Sequence, residues 1–184
     1  HDNDVAAQVE FIMFEPGSTL SDLQENLRFI EQQGLFGYFP PLIFGSLLLL
    51  PGTPVREQIE QASGVVGPVH DALGYEFTDP AVTRVFDLLN GFQRRLGTGW
   101  YQLAFKLLDG IPANEIALQA AALNGESGQY GRLLAEQKLD FFALTRIPYS
   151  VMRDGLRAAA SGADLPSQLL LERAADHMQD IEQR

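Results

Sequence analysis

Two apolar segments that each run into a Pro-Gly turn and then into a helical pattern constrain the fold of this chain most. The first unit spans residues 9–19 (VEFIMFEPGST), and the second spans residues 47–54 (LLLLPGTP). Successive units of strand, turn and helix are typical of parallel β/α architecture. Because such folds bind ligands at the carboxyl ends of their strands, we expect the function to lie at these two turns.

Composition and charge narrow the class of protein. The chain has 184 residues, of which 46% are hydrophobic, enough for one compact domain with a substantial core. Acidic residues outnumber basic residues by 24 to 13, and the net charge of −11 disfavours nucleic acid as a partner. No apolar run is long enough to span a bilayer, and the first residues lack the pattern of a signal peptide. We expect a soluble, cytoplasmic protein.

The sequence contains no cysteine. The chain by itself therefore cannot form a disulfide, supply a thiolate nucleophile or bind an iron–sulfur cluster through the usual thiolate ligands. Histidine offers no replacement, because His70 has no second histidine at a ligand spacing and His177 lies among acidic residues of a predicted helix. We predict no metal site and assign neither histidine a function.

The helices that follow the two turns have clear beginnings and ends. Thr19 and Asp22 have the spacing of a capping box for the first helix, which Gly34 is expected to end. Thr53-Pro54 begins the second helix, which is expected to end at Gly64. Both helices are expected to cover a sheet.

The rest of the chain is predicted to be helical. Asp79-Pro80 opens a strong amphipathic helix. Five further helices are expected at about residues 100–109, 113–123, 128–145, 149–160 and 166–183, with breaks at the intervening Gly and Pro residues. Upstream, residues 36–46 (FGYFPPLIFGS) are aromatic and uncharged, and they form either a buried connection or a wall facing a substrate.

The two units together resemble the fifth and sixth β/α units of radical S-adenosylmethionine enzymes. The resemblance rests on FIMFEPGSTL at residues 11–20 and LPGTP at residues 50–54, and it is closest to the branch with an N-terminal cobalamin-binding domain. It implies an α/β fold, with the last two β/α units of a partial (β/α)6 TIM-like barrel in residues 1–64. A mostly α-helical C-terminal domain would then occupy residues 65–184.

The resemblance also implies an activity. Enzymes of this family use a 4Fe-4S cluster, held by three cysteines, to split S-adenosylmethionine into a 5′-deoxyadenosyl radical, and many use cobalamin to deliver a methyl group. The chain would be the C-terminal portion of such an enzyme, acting in methyl transfer or rearrangement on a small molecule or a peptide. Because it lacks cysteine, a missing N-terminal part or a cysteine-containing partner subunit would supply the cluster, and the chain alone would be inactive.

The same resemblance places cofactor contacts at the ends of the two predicted strands. The S-adenosylmethionine-lining positions would be Ile12, Phe14, Glu15, Pro16, Leu50, Pro51 and Gly52. Glu15 either hydrogen-bonds a ribose or substrate group or satisfies the amides of its own turn. No catalytic residue is assigned.

A second hypothesis is a non-catalytic module or subunit, in which the helical region from Asp79 to Arg184 binds a protein partner. A small α/β enzyme of another type is disfavoured, because the sequence has neither a Gly-x-Ser-x-Gly elbow nor a phosphate-binding glycine loop.

Overall fold

The computed structural model describes residues 10–37, 41–63, 75–123 and 127–184. These ranges form six α-helices: α1 Leu20–Gln32, α2 Pro54–Ser63, α3 Pro80–Phe92, α4 Thr98–Leu123, α5 Ser127–Ala160 and α6 Ser167–Glu182. Two 3-10 turns, Leu35–Gly37 and Leu42–Phe44, lie between α1 and α2, and the π-helical segment Gln93–Gly97 joins α3 to α4. The predictions for Gly64 and His70 lie outside the described residues.

The predicted α/β fold is wrong, because the described residues contain no β-strand and therefore no β/α unit of a TIM-like barrel. One isolated parallel bridge, between Phe14 and Ser46, joins the two segments that were predicted as strands. Beyond it the leucine run turns on itself, since the N–H of Leu50 donates to the carbonyl of Leu48. A short apolar run is compatible with a strand and with other buried structure, and periodicity alone does not distinguish them.

The prediction that α1 and α2 cover a sheet fails with it. Helix α1 buries Leu23, Leu27 and Ile30 in a helical core, where it packs on α5. In α2, residues 54–61 are all exposed or half-buried. This helix therefore contributes little to the core.

The longest helix, α5, is the centre of the fold and packs against α1, α3, α4 and α6. Its buried residues include Leu144, Tyr149 and Met152, which belong to one hydrophobic cluster with Trp100 of α4. Phe14 belongs to the same cluster. The division into domains at residues 64 and 65 falls within residues 64–74, which are not described, and it stays a prediction.

Two predicted helix breaks are wrong, because α4 continues through Pro112 and α5 continues through Pro148. A proline inside a helix leaves the carbonyl four residues earlier without its N–H partner. For Pro148 this carbonyl belongs to Leu144, and it accepts a hydrogen bond of 3.0 Å from Nε1 of the fully buried Trp100. The indole thus replaces the missing backbone donor.

The predicted starts of α1, α2 and α3 are confirmed. Asp22 N–H donates to the hydroxyl of Thr19, and Thr19 N–H donates to the Asp22 carboxylate, which completes the capping box of α1. The hydroxyl of Thr19 also donates to the Asp22 carboxylate at 2.7 Å, and the hydrogen bonds that this carboxylate accepts from the backbone and hydroxyl of Thr19 lower the pKa of Asp22. Helix α1 ends just before Gly34, which has a positive φ of 66°, and α3 begins at Pro80 after an Asp79 cap.

Candidate functional site

The two Pro-Gly segments lie side by side and run in the same direction at their bridge. The N–H groups of Met13 and Phe14 donate to the carbonyl of Gly45 at 2.8 and 3.1 Å, and Leu47 N–H donates to the carbonyl of Phe14 at 2.8 Å. We call residues 11–17 and 45–53 the paired edge. It brings together the two turns that the sequence analysis singled out.

Gly45 allows this close approach. A side chain at this position would collide with the carbonyl oxygen of Phe11 on the neighbouring segment. Gly52, in the second turn, has a φ of 77°, a conformation that favours glycine. In the sequence, Gly45 is one residue of the 36–46 segment, which was interpreted as either a buried connection or a wall facing a substrate. Its contact with Phe11 leaves no local pattern, because the two residues are distant in the chain.

The predicted cofactor contacts differ in exposure. Exposed positions are Ile12, Glu15, Leu50, Pro51 and Gly52, and Pro16 is half-buried. Phe14 is buried, and its ring packs on Phe77 and Phe86 with centroid separations of 5.9 and 5.2 Å. Phe14 therefore contributes its backbone, and not its ring, to the surface of the paired edge.

Four exposed apolar side chains belong to this edge or follow it closely in the sequence, and we call them the apolar rim. It consists of Ile12, Leu48, Leu50 and Val55, whose side chains are 54%, 67%, 52% and 37% exposed. Full burial of such a side chain contributes about 1.5–3 kcal/mol relative to exposure. A partner that covers the rim would therefore form a complex that is stabilised by the burial of these side chains.

The first turn is closed by its own residues. Glu15 N–H donates to the hydroxyl of Ser18 at 3.1 Å, and Ser18 N–H returns a bond of 3.0 Å to the carbonyl of Glu15. Glu15 thus satisfies the turn through its backbone, and its exposed side chain takes no part in these bonds. In the second turn the hydroxyl of Thr53 donates to the carbonyl of Leu50 at 2.8 Å.

Tyr75 contacts the bridge, although it lies 61 residues after Phe14 in the chain. Its hydroxyl donates to the carbonyl of Phe14 at 3.4 Å. Burial raises the pKa of Tyr75 to about 12; the charge of Glu15 adds to this rise, and a hydrogen bond from the Leu47 backbone opposes it. No local pattern in the sequence singles out Tyr75, which lies four residues before Asp79.

Residues that follow Tyr75 hold the first turn in place. Thr78 donates from both its N–H and its hydroxyl to the carbonyl of Pro16, at 3.0 and 3.2 Å. One carboxylate oxygen of Asp79 accepts from Ala81 N–H of α3 at 2.8 Å, and the other accepts from Leu20 N–H of α1 at 3.2 Å. A single aspartate therefore caps two helices that start 60 residues apart in the chain.

A separate row of exposed apolar side chains lies on α4. Phe105, Leu108 and Ile116 are 50%, 36% and 68% exposed, and their spacing places them on one face of the helix. This α4 row forms no part of the paired edge. It is a separate surface that a partner chain could cover.

The described residues include no group of three or more His, Asp or Glu side chains placed to hold a metal ion. The sequence supplies no cysteine either, so the paired edge does not fit an iron–sulfur cluster as a ligand set. The exposed side chains of its rim are apolar and offer packing contacts to a bound group. Within the described ranges, each helix is too short or too polar to cross a membrane.

No protein-family model, curated protein or solved structure matches the chain.

Proposed function

We propose that this chain supplies part of a radical S-adenosylmethionine enzyme, in which the paired edge lines the cofactor site. One observation carries the proposal: the parallel, hydrogen-bonded contact between the two segments whose sequences resemble that family. The proposed contacts involve the two turns alone and do not require a barrel fold.

The residues of the paired edge have distinct roles in this proposal. Ile12 and Leu50 contact the adenine ring and exclude water from it, and the backbone of Pro51-Gly52 approaches closely because glycine carries no side chain. The exposed carboxylate of Glu15 accepts a hydrogen bond from a ribose or substrate hydroxyl. When bound, S-adenosylmethionine and a reduced cluster supply the radical, and cobalamin supplies a methyl group in many members of the family.

The cluster ligands come from residues outside this sequence, either a preceding part of the same protein or a cysteine-containing subunit. That polypeptide covers the rest of the apolar rim, since burial of Leu48 and Val55 stabilises the assembly. The substrate is a small molecule or a peptide. We place the assembly in the cytoplasm, where thiols are kept reduced.

The test is anaerobic purification of the tagged chain from its native cells, followed by measurement of bound iron and of 5′-deoxyadenosine formed from S-adenosylmethionine and dithionite. We expect a cysteine-containing polypeptide, iron and 5′-deoxyadenosine to accompany the chain. Leu48→Glu should reduce all three, because it places a charge on the covered rim. Leu139→Glu on α5 is the matched control, since Leu139 is also 67% exposed and lies outside the rim.

Two results would overturn the proposal. One is a chain that purifies without iron and forms no 5′-deoxyadenosine. The other is equal loss of activity in the Leu48→Glu and Leu139→Glu variants, which would show that the rim has no special role.

A non-catalytic interaction module is the second candidate, and the α4 row favours it. Three large apolar side chains exposed along one helix face are typical of a surface that docks on a partner. On this account Ile116→Glu, at a position 68% exposed, releases the co-purifying polypeptide while Leu48→Glu leaves it bound. The opposite result favours the paired edge.

A further inference from the structure

Four arginines line two adjoining clefts along α5. The first cleft, of about 280 Å³, is lined by Arg28 of α1 and by Arg153 and Arg157 of α5. The second, of about 340 Å³, is lined by Arg146 and again by Arg153. We call these four residues and the clefts that they line the arginine groove. It uses no residue of the paired edge.

The spacing of the arginines on α5 makes the groove continuous. Arg146, Arg153 and Arg157 are separated by seven and four residues, so they fall on the same face of the helix. At the helical rise per residue they extend along about 16 Å of the helix. Arg28 adds a fourth charge to the first cleft from the neighbouring α1.

The carboxylates near the groove do not neutralise it. Arg153 is paired with Glu31 through its Nε at 3.0 Å, and Arg157 lies 3.4 Å from Asp154. The guanidinium of Arg146 stacks over the ring of Phe36 at 5.2 Å. Arg28 has no ion pair among the described residues. Four guanidinium groups thus face two carboxylates, in a chain whose net charge is −11.

The two clefts differ in character. The first has three arginines and one carboxylate, Glu31, around the apolar Leu27 and Leu156. The second has an apolar wall that includes Phe36, Ile147 and the ring of Tyr149. A ligand that fills both clefts therefore combines an anionic group with an apolar or aromatic body.

We propose that the arginine groove binds a small organic phosphate. The phosphate lies in the first cleft, where the exposed guanidinium groups of Arg28 and Arg157 donate to its oxygens, and Arg153 adds its charge while it stays paired with Glu31. The apolar body lies in the second cleft against Phe36 and Ile147. Arg146 stacks on the ring of Phe36 and covers the apolar body of the ligand from that side.

The overall charge of the chain selects a small ligand over a polymeric anion. The groove is a local cationic site on an acidic protein, and charges beyond a screening length of about 8 Å contribute little at physiological salt. A small phosphate enters the groove without contacting the acidic surface around it. Nucleic acid, an anionic membrane or an acidic protein would meet that surface and be repelled.

The experiment is calorimetric titration of the whole chain with phenyl phosphate and, separately, with inorganic phosphate. We expect phenyl phosphate to bind with a Kd of about 1 mM or tighter, and inorganic phosphate to bind more weakly because it leaves the second cleft unfilled. The double variant Arg28→Gln/Arg157→Gln should weaken phenyl phosphate binding at least about tenfold, since each charged hydrogen bond contributes substantially. Both residues are exposed, so the fold should persist, as thermal unfolding would verify.

The matched control is Arg94→Gln/Arg95→Gln, which removes the same charge from two exposed arginines of the π-helical segment. Equal weakening in both double variants would show a general charge effect and overturn the proposal. So would the absence of phenyl phosphate binding. Binding to vesicles that contain a phosphorylated inositol lipid, without binding to phenyl phosphate, would assign the groove to a membrane and also overturn it.

None of these outcomes depends on iron or on S-adenosylmethionine. Failure of the arginine groove is therefore distinguishable from failure of the proposed function, which is tested through Leu48 and 5′-deoxyadenosine.

Discussion

Gly45 is the residue at which the two segments of the paired edge come closest. Its carbonyl accepts from two successive N–H groups, and its α-carbon faces the carbonyl of Phe11. Only glycine fits between these backbones, so this one position decides whether the edge forms.

Replacement of Gly45 by alanine should lower the free energy of unfolding by about 2 kcal/mol, because the added methyl group forces two backbones apart. The measurement is urea-induced unfolding followed by circular dichroism. Gly17→Ala is the control, since a methyl group at Gly17 would meet no atom within 4 Å. Equal losses in the two variants would contradict the close approach at Gly45.

Tyr75 makes the stability of the chain sensitive to alkaline pH. Its pKa is raised from 10.0 to about 12 in the folded state, mainly by burial. Between these values the unfolded chain loses the phenol proton first, so the free energy of unfolding should fall as the pH rises from about 10 to about 12. Tyr75→Phe should reduce this slope, as measured by urea unfolding across that range.

The pKa values of Tyr101 and Tyr149 are also raised by burial, so some alkaline loss of stability should remain in Tyr75→Phe. Tyr130→Phe, at a side chain 40% exposed, serves as the control. An unchanged slope in Tyr75→Phe would contradict the assignment of the effect to this hydroxyl.

At the scale of helices, two side chains form hydrogen bonds with backbone groups of helices that are distant in the sequence. Asp79 caps α3 locally and α1 across 59 residues. Trp100 of α4 satisfies a carbonyl of α5 that Pro148 leaves without its helical partner. Both contacts join elements that the sequence describes only separately.

Asp79→Ala should destabilise the chain by about 2 kcal/mol, because each lost helix cap costs about 1 kcal/mol. Asp79→Asn should cost less, since its amide retains one acceptor oxygen. Thermal or urea unfolding measures both, and Asp87→Ala on the exposed face of α3 is the control. A loss in Asp79→Ala no larger than in Asp87→Ala would argue against the double cap.

The Trp100–Leu144 hydrogen bond is best tested by a double-mutant cycle. Trp100→Phe leaves the carbonyl of Leu144 unsatisfied, at a cost of about 1–3 kcal/mol beyond the lost packing. Pro148→Ala restores a backbone N–H that can reach this carbonyl, so Trp100→Phe should cost less in that background. Equal costs in both backgrounds would show that the indole does not replace the helical donor.

At the scale of the whole molecule, one hydrophobic cluster includes Phe14 before α1 and also residues of every described helix except α2. Helix α5 runs through its centre. Because the N-terminal segments are buried against the same core, they should not unfold separately. The apolar rim and the arginine groove are surface features of this single packed body.

Calorimetric unfolding should therefore show one transition, with equal calorimetric and van't Hoff enthalpies. Two transitions would instead support the sequence-based division near residue 64. A variant in the core of α5, Leu144→Ala, should shift the whole transition and not a part of it, since this residue is fully buried.

The candidate site was predicted in part. The sequence located both Pro-Gly turns, because their residues have strong local preferences. It did not identify Gly45 or Tyr75, whose contacts join segments about 30 and 60 residues apart. It also assigned no function to the arginines, since Arg28 and Arg157 come together only when α1 packs on α5.

The sequence by itself determined where α1 and α3 begin, because the caps at Thr19 and Asp79 act within three residues of their own helices. Only the tertiary structure decided that the Leu47 segment forms a single bridge and no strand, and that α5 continues through Pro148. A strand needs hydrogen-bond partners from another segment. A proline within a helix leaves one carbonyl without its helical N–H donor, and another part of the chain must supply that donor. Such partners are set by packing, which local sequence does not record.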